Sequence, residues 1–245
     1  MSTFVLVPGF WLGGWAWDKV AEVLRADGHT VHAVTLTGLG DKAHLATPET
    51  DLDTHIHDIV HVITGEDLHD VILVGHSGAG GLVTGAADRV PERIARVVYI
   101  ESGPMAAGTT QMDNYGPEFK AEIERSVAAA GGSLFPLPSF EVLEQGDISL
   151  VGLGDEERAL MRSRATAQPY GTMTQPLTLT GGGEKLPKTL VACSIPLEQV
   201  RAVIASGHPF FAVLSSPEWD FRELPTGHWP MFSVPEATAR VLAGV

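Results

Sequence analysis

A single cysteine, Cys193, occurs in 245 residues, so no disulfide can form within the chain. It sits in the apolar run TLVAC and reads as a small core residue. Basic residues are scarce, 16 against 30 acidic, which leaves a formal net charge of -14. Such a surface repels phosphate backbones and anionic lipid, so neither nucleic acid nor a membrane surface is expected as a partner. No apolar run approaches the roughly 20 residues of a membrane span. Met1-Ser2-Thr3 leads straight into the strand-like FVLV, without a basic or long apolar leader, and a cytoplasmic location is the expectation. Internal repeats and low-complexity tracts are also lacking.

What is present is a set of short apolar runs with helical patterns between them. The runs are Phe4–Val7, Thr30–Leu36, Val71–Val74, Val97–Ile100, Thr189–Cys193 and Phe221–Leu224. Most lack alternation, as strands covered on both faces do. Helices are expected over Trp15–Ala26, Leu52–Ile63, Gly80–Arg89, Ser194–Ser206 and Pro235–Leu242. Strand and helix in alternation predict an α/β fold, a mostly parallel, doubly wound sheet of about six strands. Residues 104–186 break the rhythm. They hold helical patches at Pro117–Ala130 and Asp155–Ala167 but no strand pattern, and predict a helical lid inserted into a core of residues 1–103 and 187–245.

In a parallel sheet, functional groups gather at the carboxyl ends of the strands. Ser77 follows VILVGH, Glu101 follows VVYI, and His228 follows FREL in LPTGHWPM. Serine, acid and histidine thus reach one edge in the chain order of a nucleophile-elbow hydrolase. The elbow demands small residues two before and two after the serine, and Gly75 and Ala79 stand there. The backbone N–H of Gly78, at a helix N-terminus, is placed to donate to a developing oxyanion. The N–H of Phe10, in the loop PGFWLGG, is the natural second donor. The spacing GHSGAGG does not fit the dinucleotide pattern G-x-G-x-x-G.

The stretches FVLVPGFWLGGWAW, VILVGHSGAG, VVYIESGP and LPTGHWPM resemble the α/β-hydrolase superfamily, and within it the compact plant-type methylesterase and hydroxynitrile lyase group with its bacterial esterase relatives. The resemblance implies the α/β-hydrolase fold, with Ser77 as nucleophile, His228 as base, and Phe10 and Gly78 as oxyanion donors. The plant-type members carry the acid after the next-to-last strand, where this chain has Ile195-Pro196 and no Asp. Glu101, at the end of the strand beside the nucleophile strand, is the expected acid. Glu198, already inside the following helix, is the alternative, and Asp220 precedes its strand and so lies at the opposite edge. The expected function is cleavage of a small to medium ester or lactone through an acyl-enzyme, without cofactor or metal. Cyanohydrin cleavage is the second reading, but the lyase relatives have Thr where Gly9 stands and Lys where Trp229 stands, and the lack of both here favours the esterase. A non-catalytic ligand-binding protein on the same fold is the third. The sequence leaves the oligomeric state open, a homodimer among the options.

His57-Asp58-Ile59-Val60-His61 imitates a zinc helix, but its second residue is Asp and no third ligand is placed, so it reads as an amphipathic surface helix. Gly38-Leu39-Gly40-Asp41-Lys42-Ala43 matches G-x-G-x-x-A, but Ala43–Pro48 reads as loop where a nucleotide site needs a helix. Trp11, His76 and Trp229 flank the expected site as pocket candidates, and the lid supplies apolar residues such as Met105, Tyr115, Phe119 and Phe135.

Overall fold

The computed structural model describes residues 1–206 and 213–245. In chain order the core elements are β1 (Thr3–Val7), α1 (Asp18–Ala26), β2 (Thr30–Ala33), α2 (Leu52–Gly65), β3 (Val71–His76), α3 (Gly80–Arg89) and β4 (Ile94–Ile100). Then come α4 (Pro117–Ala129), β5 (Leu134–Phe135), α5 (Phe140–Gln145), α6 (Asp155–Arg164), β6 (Gln168–Pro169) and α7 (Gly171–Thr174). The core resumes with β7 (Lys188–Ala192), α8 (Leu197–Ala205), β8 (Trp219–Glu223), α9 (Pro230–Ser233) and α10 (Pro235–Ala243).

Six strands form one parallel sheet in the order β2-β1-β3-β4-β7-β8. The apolar runs are buried on both faces, as their lack of alternation requires: every residue of β3 is buried. One face packs against α1 and α10 through residues such as Leu6, Val74, Val98, Val20 and Leu242. The other packs against α2 and α3 through Val5, Leu73, Tyr99, Ile56 and Val83. The register aligns the carboxyl ends. His76 pairs with Ile100, and Ile100 with Val191, so Ser77 and Glu101 leave the sheet side by side.

Several boundaries differ from the sequence pattern. The sequence gives no strand between residues 104 and 186, whereas β5 and β6 form a small antiparallel pair there. At two residues each they are too short for any periodicity to register. β8 begins at Trp219, so Asp220 lies inside the strand, near its amino end, and binds Arg222 at 2.7 Å. The buried Trp219, tilted against Tyr99 at 5.3 Å, draws the strand back to include it. α8 starts at Leu197 and not at Ser194, because Pro196 holds an extended cap. A 3-10 helix runs Gly40–Leu45 and takes in the first three residues of Ala43–Pro48, where loop is expected. Its Gly40 N–H is taken by Thr166 Oγ1 at 2.9 Å.

Several hydrogen bonds tie the segment between β4 and β7 to the core, among them Trp11 N to Gln168 Oε1 at 3.2 Å and Asp53 N to Gln175 Oε1 at 2.8 Å. The Asp88 carboxylate of α3 accepts from Thr180 N and Oγ1 and from Gly181 N, at 2.6, 3.0 and 2.8 Å. At the other end, Gly227 N and His228 N donate to Val151 O and Ser149 O, at 3.1 and 2.9 Å. A Cβ on Gly227 would lie 2.3 Å from Val151 O, so only glycine permits that approach. Among the described residues, no helix is long and apolar enough to cross a membrane.

Candidate active site

β3 delivers Ser77 at φ 52°, in the left-handed region, directly before α3. That conformation costs a non-glycine residue about 1–2 kcal/mol and must be held by its surroundings. Two contacts hold it. Ser102 Oγ donates to Ser77 O at 2.5 Å, and the bare Gly75 lets Val83 close in, since a Cβ there would sit 2.7 Å from a valine methyl. Ala79, two residues after the serine, is fully buried and accommodated.

His228 reaches Ser77 from the loop after β8. Its Nε2 lies 2.8 Å from Ser77 Oγ. On the other side of the ring, Nδ1 lies 3.5 Å from Glu101 Oε2. Ser77, His228 and Glu101 are therefore brought together in one line. Glu198, by contrast, is exposed on the first turn of α8.

The Glu101 carboxylate is anchored at the turn after β7. Oε1 accepts from Cys193 N and Ser194 N at 2.7 and 2.9 Å, and Oε2 accepts from Ser194 Oγ at 2.5 Å. Glu101 itself takes φ 48°, which swings its side chain across β7. Burial alone pushes the Glu101 carboxyl up, but the hydrogen bonds from His228 and Ser194 outweigh it and hold the group below the ordinary Glu range. It is an anion beside His228 at neutral pH. Burial, with Glu101 adding its charge, pushes the Cys193 thiol up, so this buried sulfur stays protonated.

His76 lies fully buried beneath His228, ring centroids 5.1 Å apart. Its Nε2 is 2.7 Å from His228 O, an acceptor only, so that nitrogen carries the proton. Burial and the neighbouring His228 push its pKa down to about 3. A neutral His76 thus pins the backbone of His228.

Phe10 and Gly78 face each other. The Phe10 ring covers the Gly78 Cα so closely that a Cβ there would lie 2.5 Å from a ring carbon. Gly78 N–H is at the start of a helical turn, where the first amides have no partner within the helix. Trp11, at φ 65°, donates Nε1 to Phe135 O at 3.0 Å and stacks edge-on to Phe10. Trp229 is buried, edge-on to His228 at 4.9 Å.

Two cavities meet at the serine. One, of about 340 Å³, is lined by Ser77, Gly78, Glu101, Met105, Tyr115 and His228 among others. A second, of only about 30 Å³, is aromatic: Phe10, Trp11, Phe119, Phe135 and Trp229 surround it. Tyr115 and Ile148 border both. The sequence does not single out Ser194, which reads as a helix start, or Ser102, whose stretch VVYIESGP draws notice only to Glu101; Gln111 and Ile148, which line the larger cavity, sit in segments without motif or periodicity. The imitation zinc helix is otherwise engaged: Asp58 accepts from Thr37 N and Oγ1 at 2.6 and 3.1 Å.

A family model for the alpha/beta hydrolases matches residues 4–241. The carbendazim hydrolyzing esterase of Nocardioides sp. (strain SG-4G) is 33% identical over 261 residues, covering 100% of both chains. Among solved structures, an extracellular alpha/beta-hydrolase from a Paenibacillus species aligns with TM-score 0.83 at 24% identity, covering 100% of this chain and 98% of its own. A methylesterase from Arabidopsis aligns with TM-score 0.70 at 22% identity, covering 100% and 98%. This chain belongs to the alpha/beta hydrolase family.

Proposed function

We propose that this hydrolase cleaves small to medium carboxylic esters or lactones through an acyl-enzyme on Ser77. The observation that carries the reading is the 2.8 Å contact between His228 Nε2 and Ser77 Oγ, with the serine held at φ 52°. His228 takes the Ser77 proton as Oγ attacks the ester carbonyl. The N–H groups of Phe10 and Gly78 stabilise the oxyanion. His228 then gives its proton to the departing alcohol, and water, activated by the same imidazole, releases the acid. Glu101 keeps the imidazole oriented and stabilises its cationic form. Residues 104–186 act as the cap that closes the cleft over the serine. The name of the Nocardioides relative, an esterase, agrees with this reading.

The test is intact mass and peptide mapping after a fluorophosphonate probe, alongside p-nitrophenyl acetate hydrolysis. One adduct on Ser77 with matching loss of turnover is expected, and Ser77→Ala should lower kcat by roughly 10⁴–10⁶. Full turnover by a folded Ser77→Ala protein would overturn the assignment.

A further inference from the structure

A separate cavity, of about 410 Å³, opens on the α3 face of the sheet. Val97 and Tyr99 of β4 form part of its lining, with Thr84 and Ala87 of α3, and Leu179 and Trp219 complete it from other segments. Ser77, Glu101 and His228 do not line it, yet it shares Pro104, Met105 and Val213 with the Ser77 cleft. The two cavities are neighbours across Met105, a buried side chain packed against Gly81.

The buried polar groups around this cavity are already engaged, and Glu184, Lys185 and Ser216 are exposed. The Tyr99 hydroxyl is bonded to Thr84 Oγ1 at 3.0 Å. The Asp88 carboxylate is taken up by the amides of Thr180 and Gly181. Lys188 Nζ donates to Glu184 O and Leu186 O at 2.8 and 2.9 Å. Lys185 Nζ lies 3.9 Å from Glu218. The remaining lining that is not at these exposed polar groups is mainly apolar: the Tyr99 and Trp219 rings, Val97, Ala87, Leu179 and Met105. A cavity of this size and character gains by holding apolar surface that water covers poorly.

We infer, resting on the esterase reading above, that this cavity is the distal part of the substrate cleft. It takes an uncharged apolar chain or ring at the end of the ester remote from the carbonyl. The substrate's small end occupies the aromatic pocket of about 30 Å³ that shares Ser77 and His228 with the cleft. Met105, unbranched and adaptable, is the partition that sets how far the long end reaches. The substrate class is thus an asymmetric ester: one very small group, one elongated apolar group.

The experiment measures acid release from two series, methyl esters of straight-chain acids and acetates of straight-chain alcohols. Leu179→Trp and Ala106→Trp fill the cavity from its rim without touching the Ser77 cleft. Each methylene that a pocket accepts is worth about tenfold or more in kcat/KM, so one series should favour eight carbons over two. Both Trp variants should lower the eight-carbon member about tenfold or more, leaving the two-carbon member within about twofold. A chain-length profile that neither variant changes overturns the inference while leaving the esterase intact. If no ester in either series turns over, the esterase reading fails, and binding of octyl acetate to the Ser77→Ala protein decides the cavity by tryptophan fluorescence. Saturable binding weakened about tenfold by Leu179→Trp sustains an apolar site, and absent or unaltered binding removes it.

Discussion

Glu101 Oε2 stands 3.5 Å from His228 Nδ1, although Glu101 directly follows β4 and His228 lies in the loop after β8. The carboxylate spans that gap because its backbone adopts φ 48° and because the turn at Cys193-Ser194 receives it. Glu101→Gln keeps the shape and the acceptor for those amides but presents an amide to Nδ1. On the proposed mechanism, the imidazole then loses the anion that fixes its tautomer. We expect kcat to fall by roughly 10³–10⁴, with the circular dichroism spectrum unchanged. A loss under tenfold would mean that the contact does not orient the base.

Ser194 acts through Glu101. Its Oγ donates to Oε2, the same oxygen that faces His228. Ser194→Ala removes one charge-assisted bond and leaves the two amide bonds in place. Such a bond contributes about 1.5–3 kcal/mol, so kcat should fall by roughly 10–100-fold at most, with KM little changed. Ser194→Thr, which retains the hydroxyl, should recover most of the loss. Equal losses in both variants would point to packing and not to the hydrogen bond.

The sequence displayed most of this arrangement, for identifiable reasons. Buried parallel strands lack alternation, and the runs ending at Val74 and Ile100 pass at once into Gly75 and Glu101, so the carboxyl edge was visible. Ser77 and His228 were legible because a strained elbow and a tight loop need glycines around them. Glu101 was legible only as a strand-end acid. Its anchor was not, because Ser194 lies in a stretch that reads as the start of a helix until Pro196 is seen to delay it. β5 and β6 were invisible because two residues carry no period. The cavity beside Tyr99 arises from tertiary packing of α3, β4 and Trp219, which no local pattern encodes.

His76 should leave a mark on acid stability. Its pKa is pushed down to about 3 by burial and by His228, whereas in the unfolded chain it is near 6.5. Between those values the unfolded state binds a proton that the folded state refuses. Stability from this group is therefore constant above pH 6.5 and declines as pH falls toward 3. From pH 7 to pH 5 the loss is about 2 kcal/mol, at 1.36 kcal/mol per pH unit below 6.5. His76→Gln can still donate to His228 O but does not titrate. Urea unfolding at the two pH values should show that loss reduced by about 2 kcal/mol in the variant. The same loss in both proteins would mean that His76 accepts its proton without unfolding.

Gly78 and Phe10 are coupled by contact. A methyl on Gly78 would lie 2.5–2.7 Å from three carbons of the Phe10 ring, which cannot yield along its own plane without moving the loop that carries it. That loop holds the Phe10 N–H, and the 3-10 turn Ser77–Ala79 before α3 holds the Gly78 N–H, so Gly78→Ala is expected to force the two proposed oxyanion donors apart. Losing one such donor costs about 10²–10³ in kcat, and misplacing both should cost a similar amount. Phe10→Ala removes the ring yet keeps its backbone N–H, and alone should lower kcat by about tenfold or less. Combined in one chain, Gly78→Ala and Phe10→Ala relieve each other, so the double variant should be more active than Gly78→Ala alone. Steady-state kinetics of the four proteins form a double-mutant cycle. Strictly additive losses would show that the ring contact does not position the donors. A double variant faster than Gly78→Ala would tie the geometry of the oxyanion site to the packing of this one aromatic ring.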